Sequence, residues 1–486
     1  MQNIWHFITQ WFWIPLLGIY LGVFITIISE NRNPGKSLAY ILMLVFLPGI
    51  GLIIYYFVGR KPLFKGSKFK NIQKSNESKL NEYFASLKEP MHTALGKLEQ
   101  KMGTISQTFN YLYLQKQSPI TEGNAVTLLN NGEEKFSHLF NSIQNARAYI
   151  HLEYYMWTAD DIGNKMADLL INKHREGVEV RVIFDDVGSN KIKKIPKRLK
   201  EAGIPFAKTL PVMFGSLANS NYRNHRKVVV IDGEMGYLGG INLDDRYLNN
   251  GKHRLFWRDT TICIEGPAIQ LLQFQFLLSW FFSNGENNFK SREFYLEHKA
   301  PLKAEAVVAI VASGPDSTAP YILETFLLAI SQAKRKVQIC TPYFIPTDQL
   351  TSALVIAAAK GVEVEIILPG TSDSFIVQHA SFSFIKPLLE RRVKVYLYQK
   401  GFIHSKTMVV DDQLAFIGTV NMDTRSFYLN FEITSAIYDT QLCEQMSTSF
   451  EADKSESKLL TLEAWVARPV MQRAFDSVCR LVSPLL

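Results

Sequence analysis

The sequence repeats itself, and the repeat limits what it can fold into. HRKVVVIDGEMGYLGGINLD, beginning at His225, recurs as HSKTMVVDDQLAFIGTVNMD, beginning at His404. His225, Lys227, Asp232 and Asn242 match His404, Lys406, Asp411 and Asn421 at a constant displacement of 179 residues. Gly239 and Gly418 fall at equivalent turns, and the phrase GVEV also occurs twice, at 177–180 and 361–364. Upstream of each copy, helical and strand-like patterns alternate. In the first copy, 149–155 and 178–184 read as strands around a helix over 162–174. In the second, 336–341 and 362–368 read as strands, with helices over 321–334 and 351–360. Helices alternating with apolar strands predict an α/β fold. Two such units predict a pseudo-symmetric pair of lobes sharing one central cleft.

The amino terminus has a different character. Two runs without a charged residue, 11–28 and 38–58, each approach the roughly 20 residues that cross a bilayer. Tryptophans and tyrosines near their ends fit interfacial anchoring. No Lys or Arg precedes the first run, which argues against a signal peptide. A two-helix transmembrane hairpin is therefore expected. Arg60, Lys61, Lys65, Lys68, Lys70, Lys74 and Lys79 follow the second run against Glu77 alone. The positive-inside rule then puts that exit and the catalytic part in the cytoplasm and the short 30–36 loop outside. The same belt would attract anionic membrane lipids. The expected organisation is a hairpin over 1–59, a basic tether over 60–118, a first lobe over 119–300 and a second over 301–486.

Composition excludes several alternatives. With 47% hydrophobic and 20% charged residues the chain has ample core and is not globally disordered. Its net charge of +8 would suit nucleic acid, anionic lipid or phosphorylated substrates. No basic, aromatic-lined groove for nucleic acid is apparent outside the juxtamembrane belt. Four scattered cysteines without CxxC indicate neither a zinc site nor a disulfide framework. Glycine-rich kinase and dinucleotide signatures are missing.

In a strand, His and the Lys two residues on share a face. An imidazole serves as nucleophile or proton carrier near neutral pH, and an ammonium beside it holds phosphate oxygens. Asn242 and Asn421 can donate further hydrogen bonds. Two facing units would let one His attack a phosphodiester while the other protonates the leaving alkoxide. An acceptor hydroxyl then resolves the phosphohistidine, and neither metal nor other cofactor is needed. Asp232 and Asp411 precede turns, so they either brace the loop or join the chemistry. Asp259, 34 residues after His225, and Glu432, 28 after His404, are acids in apolar strand-like settings. They are nominated as the partners that orient the histidines through Nδ1. The apolar stretches 274–282 and 382–389 are either acyl-chain contacts or core helices. Arg246, Arg258 and Arg425 are candidates for lipid headgroups.

The paired HxKxxxxD motifs, followed by GG-x-N and GT-x-N, resemble the phospholipase D superfamily. Arg425, Ser426, Asn430 and Glu432 continue the second motif as the family does. With the amino-terminal runs, HLEYYMW at 151–157, TPYFIP at 341–346 and the terminal SPLL, the whole chain is similar to bacterial cardiolipin synthases. The resemblance implies a phosphatidyltransferase that joins two phosphatidylglycerols and releases glycerol, with His225 as nucleophile and His404 as acid/base. A phospholipase D hydrolase, a phosphatidyltransferase with another alcohol acceptor and a superfamily nuclease would share these motifs. A noncatalytic membrane scaffold would predict decay of one set, and both sets are intact. Oligomeric state is not legible.

Overall fold

The computed structural model describes residues 13–29, 34–59, 96, 99–211, 221–284, 286 and 304–483. They fall into two compact units, a small amino-terminal helical one and a larger one holding both copies of the repeat.

In the small unit the first apolar run forms one helix, Trp13–Ser29. The second run does not. It forms Pro34–Phe46, then Ile50–Ile54, then a π-helical turn over Tyr55–Gly59. Pro48 has no N–H to continue the ladder, and Gly49 at φ 84 turns the chain where a side chain would be strained. The Tyr20 hydroxyl meets the Gly49 N–H at 2.6 Å. Ile27, Tyr40, Leu44 and Tyr55 form a buried seam, while Ile19, Leu21, Ile25, Ile28, Val45 and Phe46 point outward, more than half exposed. Among the described residues, no helix is long and apolar enough to cross a membrane. The basic belt over 60–79 lies outside the described residues.

The larger unit is α/β, as the alternating patterns predict. Its centre is a 15-stranded sheet in which each copy contributes the same order of seven strands. In the first copy this is Thr121–Asn130, Thr260–Glu265, Met235–Gly239, Lys227–Ile231, Tyr149–Tyr154, Glu179–Asp185 and Phe206–Thr209. In the second it is Ala306–Ser313, Glu432–Tyr438, Leu414–Gly418, Thr407–Val410, Lys336–Cys340, Glu363–Pro369 and Lys394–Tyr398. Ser457–Leu459 adds an edge strand to the second half. The halves join where Thr121–Asn130 pairs antiparallel with Ala306–Ser313. Asn124 locks that seam: its amide donates to the Ala306 carbonyl at 3.1 Å and its oxygen accepts from Ala268 N–H at 2.8 Å.

Helices cover both faces. Asp161–Arg175 starts at Asp160, whose carboxylate accepts the Gly163 N–H, and ends in Lys173, His174 and Arg175, matching the helix dipole. The 274–282 stretch lies in the helix Ile269–Asn284, most of it buried in a core shared by both halves, while Gln275, Leu278, Ser279 and Phe282 line a cavity of about 340 Å3. The helix Ser106–Leu114 also belongs to the core. Phe109 and Leu112 are fully buried against the second half, so the end of the expected tether is packed structure.

Each motif aspartate holds its own half together. Asp232 accepts three backbone N–H bonds, from Arg147 at 2.7 Å and from Ala148 and Tyr149 at 2.8 Å. Asp411 does the same for Lys334, Arg335 and Lys336, at 2.8, 2.7 and 3.0 Å. Both sit at φ 54, a left-handed turn that Asp tolerates better than most residues. Replacing either by Ala should destabilise the fold by about 2–4 kcal/mol, because several charge-assisted bonds to buried N–H groups are lost. Urea unfolding of Asp232→Ala and Asp411→Ala measures this; unchanged midpoints would refute the bracing role.

Candidate active site

The two histidines sit at the lips of equivalent strands. His225 and His404 each precede the strand that begins at Lys227 or Thr407, so the His-x-Lys segment is strand only at Lys227 in the first copy and wholly precedes the strand in the second. What fixes each histidine comes from the other half. The His225 N–H donates to the Phe431 carbonyl at 3.0 Å, and its Nδ1 lies 2.9 Å from Glu432 Oε1. The His404 N–H donates to the Arg258 carbonyl at 2.7 Å, and its Nδ1 lies 2.6 Å from Asp259 Oδ2. Two short parallel ladders carry this exchange: Gly401–Ile403 against Phe256–Arg258, and Asn224 against Phe431. The nominated acids are thus histidine partners, but crossed, each serving the motif of the opposite half.

The glycines make room for this. A Cβ at Gly239 would fall 2.5 Å from the Thr260 carbonyl oxygen, and one at Gly418 would fall 2.4 Å from that of Ile433. One residue on, the copies differ. Gly240 leaves space for Asp259, whose Oδ1 would lie 2.3 Å from a Cβ there. Thr419, its equivalent, instead donates its hydroxyl to the longer Glu432.

All six residues of the two His–Lys–acid sets are buried. Burial, with Lys227 and Lys406 adding to it, lowers the proton affinity of His225 to about 4. Burial and Lys406 lower that of His404 to about 3. Burial alone would raise the acids. Charge and hydrogen bonds from His404 and Lys406 outweigh it at Asp259, as those from His225 and Lys227 do at Glu432, and both carboxyls are held low. Near neutral pH each imidazole is therefore neutral, with Nδ1–H donating to a carboxylate and the lone pair on Nε2. Burial also brings Lys227 down to about 7 and Lys406 to about 8. Each ammonium is tied to the carbonyl of its own histidine, at 2.6 Å for Lys227.

His225 and His404 line one cavity of about 310 Å3, with Asn242, Asn421, Arg425, Ser426 and Asn430. Asn242 is braced, accepting the Met156 N–H at 3.3 Å and donating to the Tyr247 hydroxyl at 3.0 Å. Asn421 Oδ1 has no hydrogen-bond partner among the described residues. Asp232 and Asp411 do not line the cavity and act through the backbone. Arg258 does not line it either; its guanidinium is buried against Asp453 at 2.9 Å and the Asp259 carbonyl, which corrects its nomination for headgroups. Arg246 does, and so do Tyr155, Arg223, Tyr247, Trp257 and Tyr343, which sequence reasoning missed. A signal existed for the arginines. Arg246 and Arg425 are also 179 residues apart, as are Asp244 and Asp423, each of which caps the turn carrying its arginine.

This arrangement can deliver a lone pair from one imidazole and move a proton at the other, beside two lysines and three arginines. The family model described as cardiolipin synthase, PLD-like domain, matches residues 139–270 and 326–454, one stretch per copy. The chain belongs to that family. A second model, the phospholipase D-nuclease N-terminal one, matches residues 18–60. Among curated relatives, cardiolipin synthase 1 of Bacillus anthracis is 36% identical, covering 100% of this chain and 95% of its own. The major cardiolipin synthase of Bacillus subtilis is 37% identical over 97% of this chain and 98% of its own. Among solved structures, a phosphatidylserine synthase from Haemophilus influenzae shares the fold at 17% identity and a TM-score of 0.61, covering 79% of this chain and all of that one.

The crossed pairing is tested by Glu432→Gln. Although it lies in the second half, it should slow modification of His225 by about 10²–10⁴-fold, as loss of an orienting carboxylate does elsewhere. Labelling rates with an activated phosphodiester measure it; a defect confined to His404 chemistry would refute the crossing. The pH profile gives a further check. Protonation removes the His225 lone pair, so kcat/KM should fall as pH drops toward about 4. It should fall again as pH rises past about 7 to 8, where Lys227 and Lys406 lose their charge. A flat profile from pH 4 to 9 would contradict these environments.

Proposed function

We propose that the chain is a cardiolipin synthase, transferring the phosphatidyl group of one phosphatidylglycerol to the terminal hydroxyl of a second. The observation that carries this reading is the pair of neutral imidazoles, each anchored on the opposite half's carboxylate and lining a single arginine-bearing cavity. His225 Nε2 attacks phosphorus; the P–N bond forms as the P–O bond to glycerol breaks, and His404 gives its proton to the departing oxygen. His404 gains that proton when the anionic phosphodiester enters, since nearby negative charge raises proton affinity. In the second half His404 takes the proton of the acceptor hydroxyl, the oxygen attacks phosphorus, and the P–N bond breaks. Lys227, Lys406 and Asn421 hold phosphoryl oxygens. Donor and acceptor each bring one phosphate, which fits the paired Arg246 and Arg425.

The purified enzyme with phosphatidylglycerol alone, and no added divalent ion, should yield equal amounts of cardiolipin and glycerol. Phosphatidic acid as the sole product would mean hydrolysis. Loss of activity on chelation, restored by one specific metal, would refute the mechanism. With an activated donor whose leaving group needs little acid assistance, His404→Ala should still form the lipid adduct and His225→Ala should not. Adduct on His404 in active enzyme, located by peptide mass spectrometry, would reverse the two roles.

The amino-terminal unit reads as the membrane anchor: a re-entrant or spanning hairpin, with its outward isoleucines, valine and phenylalanine toward lipid. The basic residues after 59 put the catalytic unit on the cytoplasmic face. In intact cells an impermeant thiol reagent should label Asn33→Cys and spare Ser67→Cys; the opposite pattern would overturn the orientation. Neither site labelled would favour a re-entrant hairpin over a spanning one.

A further inference from the structure

The helix Val470–Val482, VMQRAFDSVCRLV, is mounted with its apolar side outward. At 3.6 residues per turn, Val470, Met471, Ala474, Phe475, Val478 and Leu481 share one arc of about 140°. Val470 is 70% exposed, Met471 81%, Val478 58% and Leu481 80%. The side turned to the protein is the one that contains an acid. Asp476, 2% exposed, lies 2.6 Å from His379 Nδ1 and 3.0 Å from Arg468, and Cys479 packs on Ala380 and Ile345. An ordinary surface helix would bury the apolar arc and expose the aspartate. Here a built ion-pair cluster holds the opposite orientation.

The exposed face continues onto the neighbouring helix Phe375–Phe382, where Phe375 is 63% and Ile376 48% exposed, and the Phe375 and Phe475 rings meet at 5.4 Å. That neighbour also lines the catalytic cavity through Val377, and Ile345 beneath Cys479 lines it too. Arg473 and Arg480 lie along one side of the apolar arc, both exposed, with Arg480 4.6 Å over the Phe384 ring, and the helix itself carries no exposed acid.

We propose that this face is an interfacial docking surface that enters an anionic bilayer beside the catalytic cleft, so that a substrate acyl chain stays in lipid while its headgroup reaches the histidines. The proposal rests on the phosphatidyltransferase reading for its substrate. The occupant follows from chemistry: a broad apolar arc with two exposed arginines along one side, and Asp373 beside Phe375 as the exposed acid next to it, matches hydrocarbon under anionic headgroups.

The test uses the full chain in nanodiscs containing phosphatidylglycerol. The four native cysteines are buried, so Met471→Cys and Val478→Cys accept a bimane label selectively. Brominated acyl chains should quench the label by about half or more, and aqueous iodide should be largely excluded, as for a face set into the headgroup–acyl boundary. Labels unaffected by brominated lipid and open to iodide would overturn the proposal. So would labels shielded in a crosslinkable dimer and unquenched by brominated lipid, since a second copy would then cover the face. A second measurement uses Met471→Glu/Leu481→Glu. Its KM for vesicle phosphatidylglycerol should rise about tenfold or more, with kcat/KM on a monomeric short-chain analogue within about twofold, because charge on the apolar face opposes insertion only. Equal losses on both substrates would refute docking. Quenching does not depend on turnover, so absence of cardiolipin with quenching intact would sink the transferase reading alone.

Discussion

Everything at the centre of this molecule depends on the exchange of carboxylates between halves. An imidazole and an ammonium taken out of water together need a counter-charge, because an unpaired buried charge costs several kcal/mol. Neither copy of the repeat supplies that counter-charge to itself. Glu432 reaches His225, Asp259 reaches His404, and the carbonyls one residue earlier fix the two histidine backbones. The continuous sheet, the Asn124 seam and the glycine clearances at Gly239 and Gly418 keep those four groups in register.

The copies are not identical where it matters. Beside His404 the acid is the shorter aspartate, tucked against Gly240, with Tyr247 and Trp257 edge-on or tilted to the ring at 5.8 and 5.6 Å. Beside His225 the acid is the longer glutamate, held by Thr419 and Asn430, with Tyr155 at 4.9 Å. Glu432 accepts from two side chains besides His225, whereas Asp259 accepts from the Thr260 N–H at 2.7 Å. That difference gives the two histidines distinct environments within a nearly symmetric frame.

Much of this was legible in the sequence, because period and repetition report on local geometry. The alternating strands and helices and the His, Lys and Asn pairs follow from spacing alone. The crossing of the acids was not legible, since a count along the chain gives distance from the nearer histidine and says nothing of the farther one. Arg258 was misread for a similar reason: its partner, Asp453, lies 195 residues away. Arg246 was underrated although it obeys the same 179-residue displacement as the histidines. The break at Leu47–Gly49 was signalled by Pro48 and Gly49, which a hydropathy count smooths over.

The crossed arrangement also bears on synthesis. A ribosome that has released His225 and Lys227 into the cell has made a potential nucleophile without its counter-ion, and Glu432 is translated 207 residues later. At about 5–20 residues per second, at least ten seconds separate the two. During that interval the first half holds no assembled histidine–carboxylate pair of its own. The pair at His225 is completed only when nearly the whole polypeptide exists, and a product that ends before residue 432 lacks the carboxylate that holds that imidazole.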